Sequence, residues 1–375
     1  MRIFIPKESE TRISVMPSSV AKLIKLGATV EIEQNLGTPL HIDDSQYSDH
    51  GAEITSDRES ALQRADLTLK LNPPSLDDVK AMKKGAKYLG YLHPFHSPEL
   101  IETLREAGVS AMSVEMIPRT TIAQKMDALS SQASLAGYVS VITAAQHLNK
   151  IFPMMVTPSG TIQPARVFVI GAGVAGLQAI ATAKRLGARV QAFDTRPTVA
   201  EQVQSLGAKF VKVDLGETSQ TEQGYAKALT PEQLQLQKEA MAKVCAQSDV
   251  VITTAQLFGR RAPLIIDNQM IDMMAPGSLL VDLAVESGGN VEGALPNQIV
   301  DRNGVKIIGL SNFPGEVAYN ASEMYSNNLT NFIEHFWDRE TVTLPLNLDD
   351  EIISKCLITH QGVVVNPQFQ TLQPA

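Results

Sequence analysis

A glycine-rich turn carries the strongest chemical signal in this chain of 375 residues. Gly171-Ala172-Gly173-Val174-Ala175-Gly176 follows the apolar run Val167–Ile170 and opens a helical stretch. In such a turn the first glycine permits a tight bend, the second lets the backbone approach a pyrophosphate, and the third lets the helix pack on the strand. Because the N-terminus of a helix attracts anions, this spacing predicts a dinucleotide-binding site.

An acidic residue stands where the ribose of a bound dinucleotide would lie. Asp194 ends the next apolar run, Val190–Phe193. It follows the turn by about 20 residues, the spacing at which a carboxylate accepts hydrogen bonds from the ribose hydroxyls. A carboxylate there repels a 2′-phosphate, so Asp194 favours NAD over NADP. Arg196 weakens that preference slightly, and we interpret it as a surface or supporting side chain.

Three basic residues follow apolar runs in the N-terminal third of the chain. Arg12 comes after the first run, Lys70 ends the run at Leu67–Lys70, and His93 lies just beyond Tyr88–Leu92. The carboxyl ends of parallel strands line the ligand crevice of an open sheet, where such cations can hold a carboxylate or polarise a carbonyl. Each residue alone is more typical of structure. Together they indicate either a working site or the remnant of one.

A further polar group precedes a long helical stretch. Arg119, Gln124, Asp127 and Ser130 lie between the two halves of the chain, where they can reach a nicotinamide across a cleft. Helix capping by Asp127 and Ser130 explains the same residues, and on residue types alone we prefer capping.

The elements that must position these groups alternate in type. Apolar runs separated by amphipathic stretches predict an α/β fold with two Rossmann-like doubly wound domains and parallel sheets. Long helices at Ser130–Lys150, capped by Ser130 or Ser131, and at Glu316–Trp337 would join the domains around a cleft. We expect residues 1–129 plus 311–375 to form one discontinuous α/β domain and residues 130–310 to form the NAD(H)-binding Rossmann domain.

The expected strands are the apolar runs themselves. They are Ile3–Pro6, Thr29–Glu33, Leu67–Leu71, Tyr88–Leu92, Val109–Val114, Val167–Ile170, Val190–Phe193, Lys209–Val213, Val250–Thr253, Leu279–Leu283 and Val305–Ile308. Between the third and fourth strands of the second domain, residues 214–231 have few large apolar side chains. So long a connection is usually a lid, a binding loop or disorder. Composition supports a functional loop and a plain connection equally.

Composition excludes several classes of protein. Lys and Arg number 32 against 40 Asp and Glu, so the net charge of −8 disfavours binding to nucleic acid or to an anionic membrane surface. Cys245 and Cys356 lie in no metal-binding or disulfide pattern, which predicts no metal site and a reducing cytosol. The apolar stretch Val167–Ala183 contains the glycine turn, and we interpret it as strand, turn and helix. Walker A, HExxH and GxSxG motifs are missing from the sequence.

Four segments together resemble one known family. They are Arg119–Tyr138, the glycine turn with Asp194, Gly224-Tyr225-Ala226-Lys227, and Val281–Asn290. With these segments, nearly the whole chain resembles the soluble NAD(H)-binding component of the proton-translocating nicotinamide nucleotide transhydrogenases. Gln256-Leu257-Phe258-Gly259-Arg260-Arg261 departs from the family, in which we expect Ile-Pro-Gly followed by Lys or Arg.

The resemblance implies roles for particular residues. Arg119, Gln124, Asp127 and Ser130 would surround the nicotinamide end of NAD(H), which reverses our preference for capping. Residues 214–231 would be a mobile loop that closes through Tyr225. The cofactor contacts implied are Gly171, Gly173, Val174, Ala175, Gly176, Asp194, Thr195, Arg196, Gly224, Tyr225, Ala255 and Leu257. Because hydride transfer belongs to the nicotinamides, the protein would supply apposition and electrostatics rather than acids or bases.

The resemblance also implies partners. The family member would be a homodimer that passes a hydride from NADH to NADP⁺ held on an NADP-binding beta subunit, in the Re/Si-specific reaction. A membrane-spanning subunit would couple the transfer to proton translocation. We therefore expect a cytoplasmic protein, peripheral at the inner (plasma) membrane through its partners, with no direct membrane insertion.

Two other functions remain open. The first is alanine dehydrogenase, which oxidatively deaminates L-alanine to pyruvate with NAD. It shares the expected fold, and Arg12, Lys70 and His93 match its substrate-binding positions. Against it, Glu286 stands where that family has an aspartate. The second is a catalytically idle subunit that binds NAD and regulates or assembles with a partner.

Overall fold

The computed structural model describes residues 1–213 and 230–370. Those residues form two compact units, which we call unit 1 (Met1–Gln132 with Val317–Ala375) and unit 2 (Ala133–Glu316). Short 3₁₀ turns connect several elements, including one at Gln124–Met126.

The elements follow one another as expected for α/β units. From residue 1 to residue 147 they are β1 (Arg2–Ile5), α1 (Pro17–Lys25), β2 (Thr29–Glu33), α2 (Asp44–Ser48), β3 (Glu53–Thr55), α3 (Arg58–Arg64), β4 (Leu67–Leu69), α4 (Leu76–Ala81), β5 (Lys87–Gly90), α5 (Pro98–Glu106), β6 (Ser110–Ser113) and α6 (Ala128–His147). Unit 2 continues with β7 (Met155–Thr157), β8 (Gly160–Ile162), β9 (Arg166–Ile170), α7 (Val174–Arg185), β10 (Arg189–Phe193), α8 (Ala200–Ser205), β11 (Lys209–Phe210), α9 (Pro231–Cys245), β12 (Val250–Thr253), α10 (Asn268–Asp272), β13 (Leu279–Asp282), β14 (Gln298–Arg302) and β15 (Val305–Gly309). The chain returns to unit 1 with α11 (Ala318–Phe336), α12 (Glu351–Cys356), β16 (Leu357–His360) and β17 (Val363–Val364).

Unit 1 is built on an eight-stranded sheet in the order β17-β16-β6-β5-β4-β1-β2-β3. Strands β1 to β6 are parallel, and β16 pairs with β6 in the antiparallel direction. Strand β4 is buried along its whole length, because helices cover both faces of a parallel sheet. The order of the six parallel strands is the 3-2-1-4-5-6 order of a dinucleotide-binding fold.

Unit 2 repeats this order. Its seven-stranded sheet runs β11-β10-β9-β12-β13-β15-β14, with β14 as the antiparallel edge. The core that holds the sheet together includes Phe168, Val251 and Leu280, all fully buried. The strand order reverses between β9 and β12, and ligands bind in such sheets at that switch point, outside the carboxyl ends of the strands.

The α/β class and the Rossmann-like sheets are confirmed, whereas the expected start of the first long helix is wrong. The helix expected to start at a Ser130 or Ser131 cap begins earlier, at Ala128. The carboxylate of Asp127 accepts the backbone N–H of Ser130 at 2.9 Å, so Asp127 supplies the cap. Among the described residues, no helix has the length and apolar character needed to cross a bilayer.

Candidate functional site

The glycine turn joins β9 to α7 at the switch point of unit 2. Gly171 has a φ of 95°, which side-chain-bearing residues avoid. A Cβ on Gly176 would lie 1.8 Å from the carbonyl oxygen of Gly171, whereas a Cβ on Gly173 would meet no atom within 4 Å. The third glycine is therefore required by packing, and the second leaves open space at the start of α7, where Val174 and Ala175 lie. This cradle fits a pyrophosphate.

A glycine outside the turn supports the cradle. Gly137 of α6 lies against the first turn of α7, where a Cβ would come within 2.1 Å of the carbonyl oxygen of Ala175. Only a residue without a side chain allows α6 to approach α7 so closely. Gly137 therefore fixes the helix that begins at the glycine turn.

The carboxylate of Asp194 lies at the end of β10, beside the turn. Its Oδ2 accepts the backbone N–H of Ala172 at 2.7 Å. The Nε and one terminal nitrogen of Arg196 donate to its two oxygens at 2.9 and 2.8 Å. The hydrogen bonds to Asp194 raise the pKa of Arg196. Arg196 therefore supports the carboxylate that we expect to bind the ribose. Thr195, which lies between the two residues in the sequence, is half-buried.

The loop after β12 is held by a buried network. Asn290 accepts the backbone N–H of Ala255 at 3.0 Å and donates to the carbonyl oxygens of Ala255 and Pro263. The backbone N–H of Asn290 in turn donates to Asp282 at 2.8 Å. Burial raises the pKa of Asp282, against the opposing effect of these hydrogen bonds. The network holds Ala255 at the carboxyl end of β12.

Two other residues complete the description of this loop. The hydroxyl of Thr254 donates to the carbonyl oxygen of Gly171 at 3.1 Å, which ties the loop to the glycine turn. Leu257 forms an isolated antiparallel bridge with Arg260 in the turn that departs from the family pattern. Gly224 and Tyr225, which we assigned to the nucleotide site, lie outside the described residues.

In unit 1, three of the four predicted nicotinamide-end residues come together. Asp127 accepts the hydroxyl of Ser130 at 2.6 Å, and the Nε of Arg119 lies 3.6 Å from the same carboxylate oxygen. Gln124 is exposed at the start of the 3₁₀ turn Gln124–Met126. The carboxylate of Asp127 therefore both caps α6 and orients Ser130 and Arg119.

The three strand-end cations of unit 1 each contact a carboxylate of the chain. Glu10 accepts two hydrogen bonds from Arg12 at 2.7 Å, and Gln132 accepts a third at 2.9 Å. Lys70 donates to Glu8 at 3.0 Å, with both side chains buried. Burial lowers the pKa of Arg12, but the hydrogen bonds to Glu10 and the negative charge of that residue together outweigh burial, and the pKa is raised.

His93, the third basic residue, lies beside a carboxylate at a longer distance, and its side chain is 57% exposed. The Nδ1 of His93 lies 3.6 Å from Glu115, which also accepts the backbone N–H of His93. At Arg12 and Lys70 a bound carboxylate would have to compete with the internal carboxylates of Glu10 and Glu8.

Sequence reasoning missed the residues that hold the site together. Gly137 and Asn290 lie within segments that carry the family resemblance, but their spacing gave no sign of their partners. Thr254 directly follows the predicted strand Val250–Thr253, and this position at a strand end could have pointed to a role in the site.

Comparison with known proteins places the chain among nicotinamide-dependent enzymes. Residues 5–136 match the family described as alanine dehydrogenase/PNT, N-terminal domain, and residues 140–367 match the corresponding C-terminal domain. The chain is 43% identical over 377 residues to an NAD(P) transhydrogenase alpha subunit of Rhodospirillum rubrum, covering 98% of each chain.

Two solved structures are similar to this chain over nearly its whole length. A transhydrogenase from Sinorhizobium meliloti is 42% identical and superposes with a TM-score of 0.88, covering 97% of this chain and 100% of that one. An L-alanine dehydrogenase is 25% identical, with a TM-score of 0.80 over 99% of this chain and 98% of that one.

Proposed function

This chain belongs to the alanine dehydrogenase/PNT family, and we propose that it is the NAD(H)-binding alpha subunit of a proton-translocating NAD(P) transhydrogenase. In this proposal it passes a hydride from NADH to NADP⁺ held on an NADP-binding beta subunit, in the Re/Si-specific reaction. The observation that carries the proposal is the open cradle at Gly173, beside the carboxylate of Asp194, in a chain so similar to a transhydrogenase subunit.

The residues of the chain bind and orient the nucleotide. Gly173 would admit the pyrophosphate to the N-terminus of α7, and Asp194 would accept hydrogen bonds from the ribose hydroxyls in place of the Arg196 guanidinium. The nicotinamide ring, when bound, would supply the hydride. Arg119 and Asp127, with Ser130, would orient the carboxamide and its ribose, and the exposed Gln124 would contact the ring. No side chain needs to act as an acid or a base.

The paired cations of unit 1 favour this function over alanine dehydrogenase. A 2-oxo acid would need the guanidinium of Arg12 and the ammonium of Lys70, which Glu10 and Glu8 already neutralise. Truncating either carboxylate would leave a buried cation without its partner, which is costly. We therefore assign these residues to the internal structure of unit 1.

The partners are also included in the proposal. A membrane-spanning subunit would couple the hydride transfer to proton translocation and hold the chain at the cytoplasmic face of the inner membrane. A homodimer is supported by the hairpin of β7 and β8, on which Val156 is 71% exposed and Met155 and Ile162 are also exposed. An exposed apolar hairpin is a typical contact surface. Val156→Glu should lower the oligomeric state in analytical ultracentrifugation, and an unchanged sedimentation coefficient would contradict the use of this surface.

One assay tests the reaction. The purified chain is given a spectrally distinct NAD analogue as acceptor, together with either an NADP-binding transhydrogenase component loaded with NADPH or L-alanine alone. We expect reduction only with the partner component, which would establish transfer between nucleotides. Reduction by L-alanine without the partner would make the protein a dehydrogenase acting at Arg12, Lys70 and His93. Nucleotide binding without transfer in either mixture would identify an idle regulatory subunit.

A further inference from the structure

An asparagine on α11 is bonded to two points, Lys125 and Ser131, of the segment that carries the predicted nicotinamide-end residues. The side-chain nitrogen of Asn328 donates to the carbonyl oxygen of Lys125 at 3.0 Å. Its side-chain oxygen accepts the hydroxyl of Ser131 at 2.7 Å. Asn328 is 8% exposed, so both bonds are shielded from water. One amide therefore links the 3₁₀ turn of Gln124 to the first turn of α6.

A side-chain amide suits this place because it carries a donor and an acceptor. Its nitrogen serves the carbonyl oxygen of Lys125, and its oxygen accepts the hydroxyl of Ser131, which also lies 3.1 Å from the carbonyl oxygen of Ala128. Two further amides join the same segment to α11. Asn331 donates to the carbonyl oxygen of Lys125 at 3.1 Å, and Gln132 donates to the carbonyl oxygen of Ala321 at 3.0 Å.

We propose that Asn328 is a positioning residue for hydride transfer, acting through the backbone of Lys125 and through Ser131. It holds Gln124 on one side and Asp127 with Ser130 on the other. This inference rests on the proposed function. Transfer between two nicotinamides depends steeply on how they are placed, and a misplacement of about 1 Å can slow a reaction about a hundredfold. Nucleotide affinity, which is spread over many contacts, should change much less.

The test is the substitution Asn328→Asp, which keeps the shape and the acceptor for Ser131 but removes the donor to Lys125. The chain offers a matched control in the same unit. Asn366 is 3% exposed, donates to the carbonyl oxygen of Lys355 at 2.8 Å, and accepts the backbone N–H of Gln368 at 3.1 Å. Asn366→Asp therefore removes the same kind of buried bond, among residues with no place in the proposed site.

The two variants should differ in the rate of hydride transfer measured by stopped flow with an NADP-binding component. We expect Asn328→Asp to slow single-turnover transfer by about tenfold to a hundredfold, while the Kd for NADH changes by less than about threefold. Asn366→Asp should leave both values near wild type. A second, milder variant, Ser131→Ala, removes the bond to the amide oxygen together with the weaker contact to the carbonyl oxygen of Ala128, and should slow transfer by about threefold to tenfold. It supplies the test if Asn328→Asp does not fold.

Hydrogen exchange gives a readout that does not depend on the reaction. Amides of residues 120–131 should exchange faster in Asn328→Asp than in wild type, and should not do so in Asn366→Asp. Equal transfer rates in the two Asp variants, or unchanged exchange in this segment, would overturn the positioning role. A wild-type protein that transfers no hydride would refute the proposed function instead, and exchange alone would then decide the role of Asn328.

Discussion

Both oxygens of the Asp194 carboxylate are bonded to Arg196, two residues further along the chain. The guanidinium donates from two nitrogens at 2.9 and 2.8 Å, and the backbone N–H of Arg196 adds a third bond at 2.8 Å. The side chain of Asp194 is only 6% exposed, so the pair is largely shielded from water. In the proposed site, ribose hydroxyls replace the guanidinium on this carboxylate. In this proposal the pair would set both the affinity for the nucleotide and the preference for NAD over NADP.

Removing the charge of Asp194 should weaken nucleotide binding. Asp194→Asn replaces one acceptor oxygen with an amide nitrogen, and loses charge-assisted hydrogen bonds worth about 1–2 kcal/mol. Calorimetric titration should show a Kd for NADH raised by about tenfold. Asp272→Asn is the control, because Arg302 binds Asp272 with the same two-pronged geometry at an exposed place. Unchanged affinity in Asp194→Asn would refute the assignment of this carboxylate to the ribose.

Replacing Asp194 by a small neutral residue should change the nucleotide preference. In Asp194→Ser the repulsion of a 2′-phosphate is gone and the guanidinium of Arg196 is released to bind it. The ratio of NADPH to NADH affinity should rise by about tenfold or more in fluorescence titrations. Adding Arg196→Ala to this variant should abolish the gain. A gain that survives the double substitution would show that Arg196 is not involved.

Shortening Gln124 should affect the reaction more than binding. Gln124→Asn withdraws the amide by one methylene, which moves its contact with the ring and harms the transition state more than ground-state binding. Single-turnover transfer should slow while NADH affinity stays near normal. The same substitution at Gln146, an exposed residue of α6, should leave both unchanged. Weak binding with normal transfer would show instead that Gln124 only anchors the cofactor.

Substitutions at two glycines should affect different properties, namely stability at Gly137 and nucleotide binding at Gly173. Gly137→Ala places a methyl group against the carbonyl of Ala175, and overpacking of this kind costs about 1–3 kcal/mol, visible in urea denaturation. Gly173→Ala places a methyl group in open space, so the free energy of unfolding should stay near wild type. Its NADH affinity should nevertheless fall by more than about tenfold, because the methyl group blocks the approach of the pyrophosphate. Loss of stability in both variants would contradict this distinction.

Strands of the parallel sheets could be predicted from their apolar residues, which fill both faces of Val250–Thr253 and alternate with Thr and Glu in Thr29–Glu33. Thr29–Glu33 and Val250–Thr253 have the predicted bounds. Strands at the edges of the sheets could not be predicted as well. The expected strand Lys209–Val213 is reduced to Lys209–Phe210, because it pairs on one side only, and β14 was missed because its residues are polar and mostly exposed. The hairpin of β7 and β8 has no buried face and so carries no apolar alternation.

In the candidate site, too, local features could be predicted from the sequence and long-range contacts could not. The glycine turn is local in sequence, so its spacing predicts its geometry. The bonds of Asn328 join residues 197 and 203 positions apart, and no spacing rule reaches across that distance. The ion pairs of Arg12 and Lys70 could not be predicted from the sequence for another reason. Glu10 and Glu8 stand close to the first strand, but only the fold decides that they turn toward these cations.

The sheet of unit 1 closes with strands from the end of the chain. Leu357–His360 pairs with Ser110–Ser113, so a sheet begun by the first residues is extended by a strand made about 250 positions after the strand it pairs with. Unit 2 is continuous in sequence, and its own sheet is complete once Gly309 has been made. During synthesis, unit 2 can therefore fold while the edge strand Ser110–Ser113 of the first sheet still lacks its partner. A nascent chain stalled before Leu357 would leave that edge exposed to chaperones or to another chain's strands.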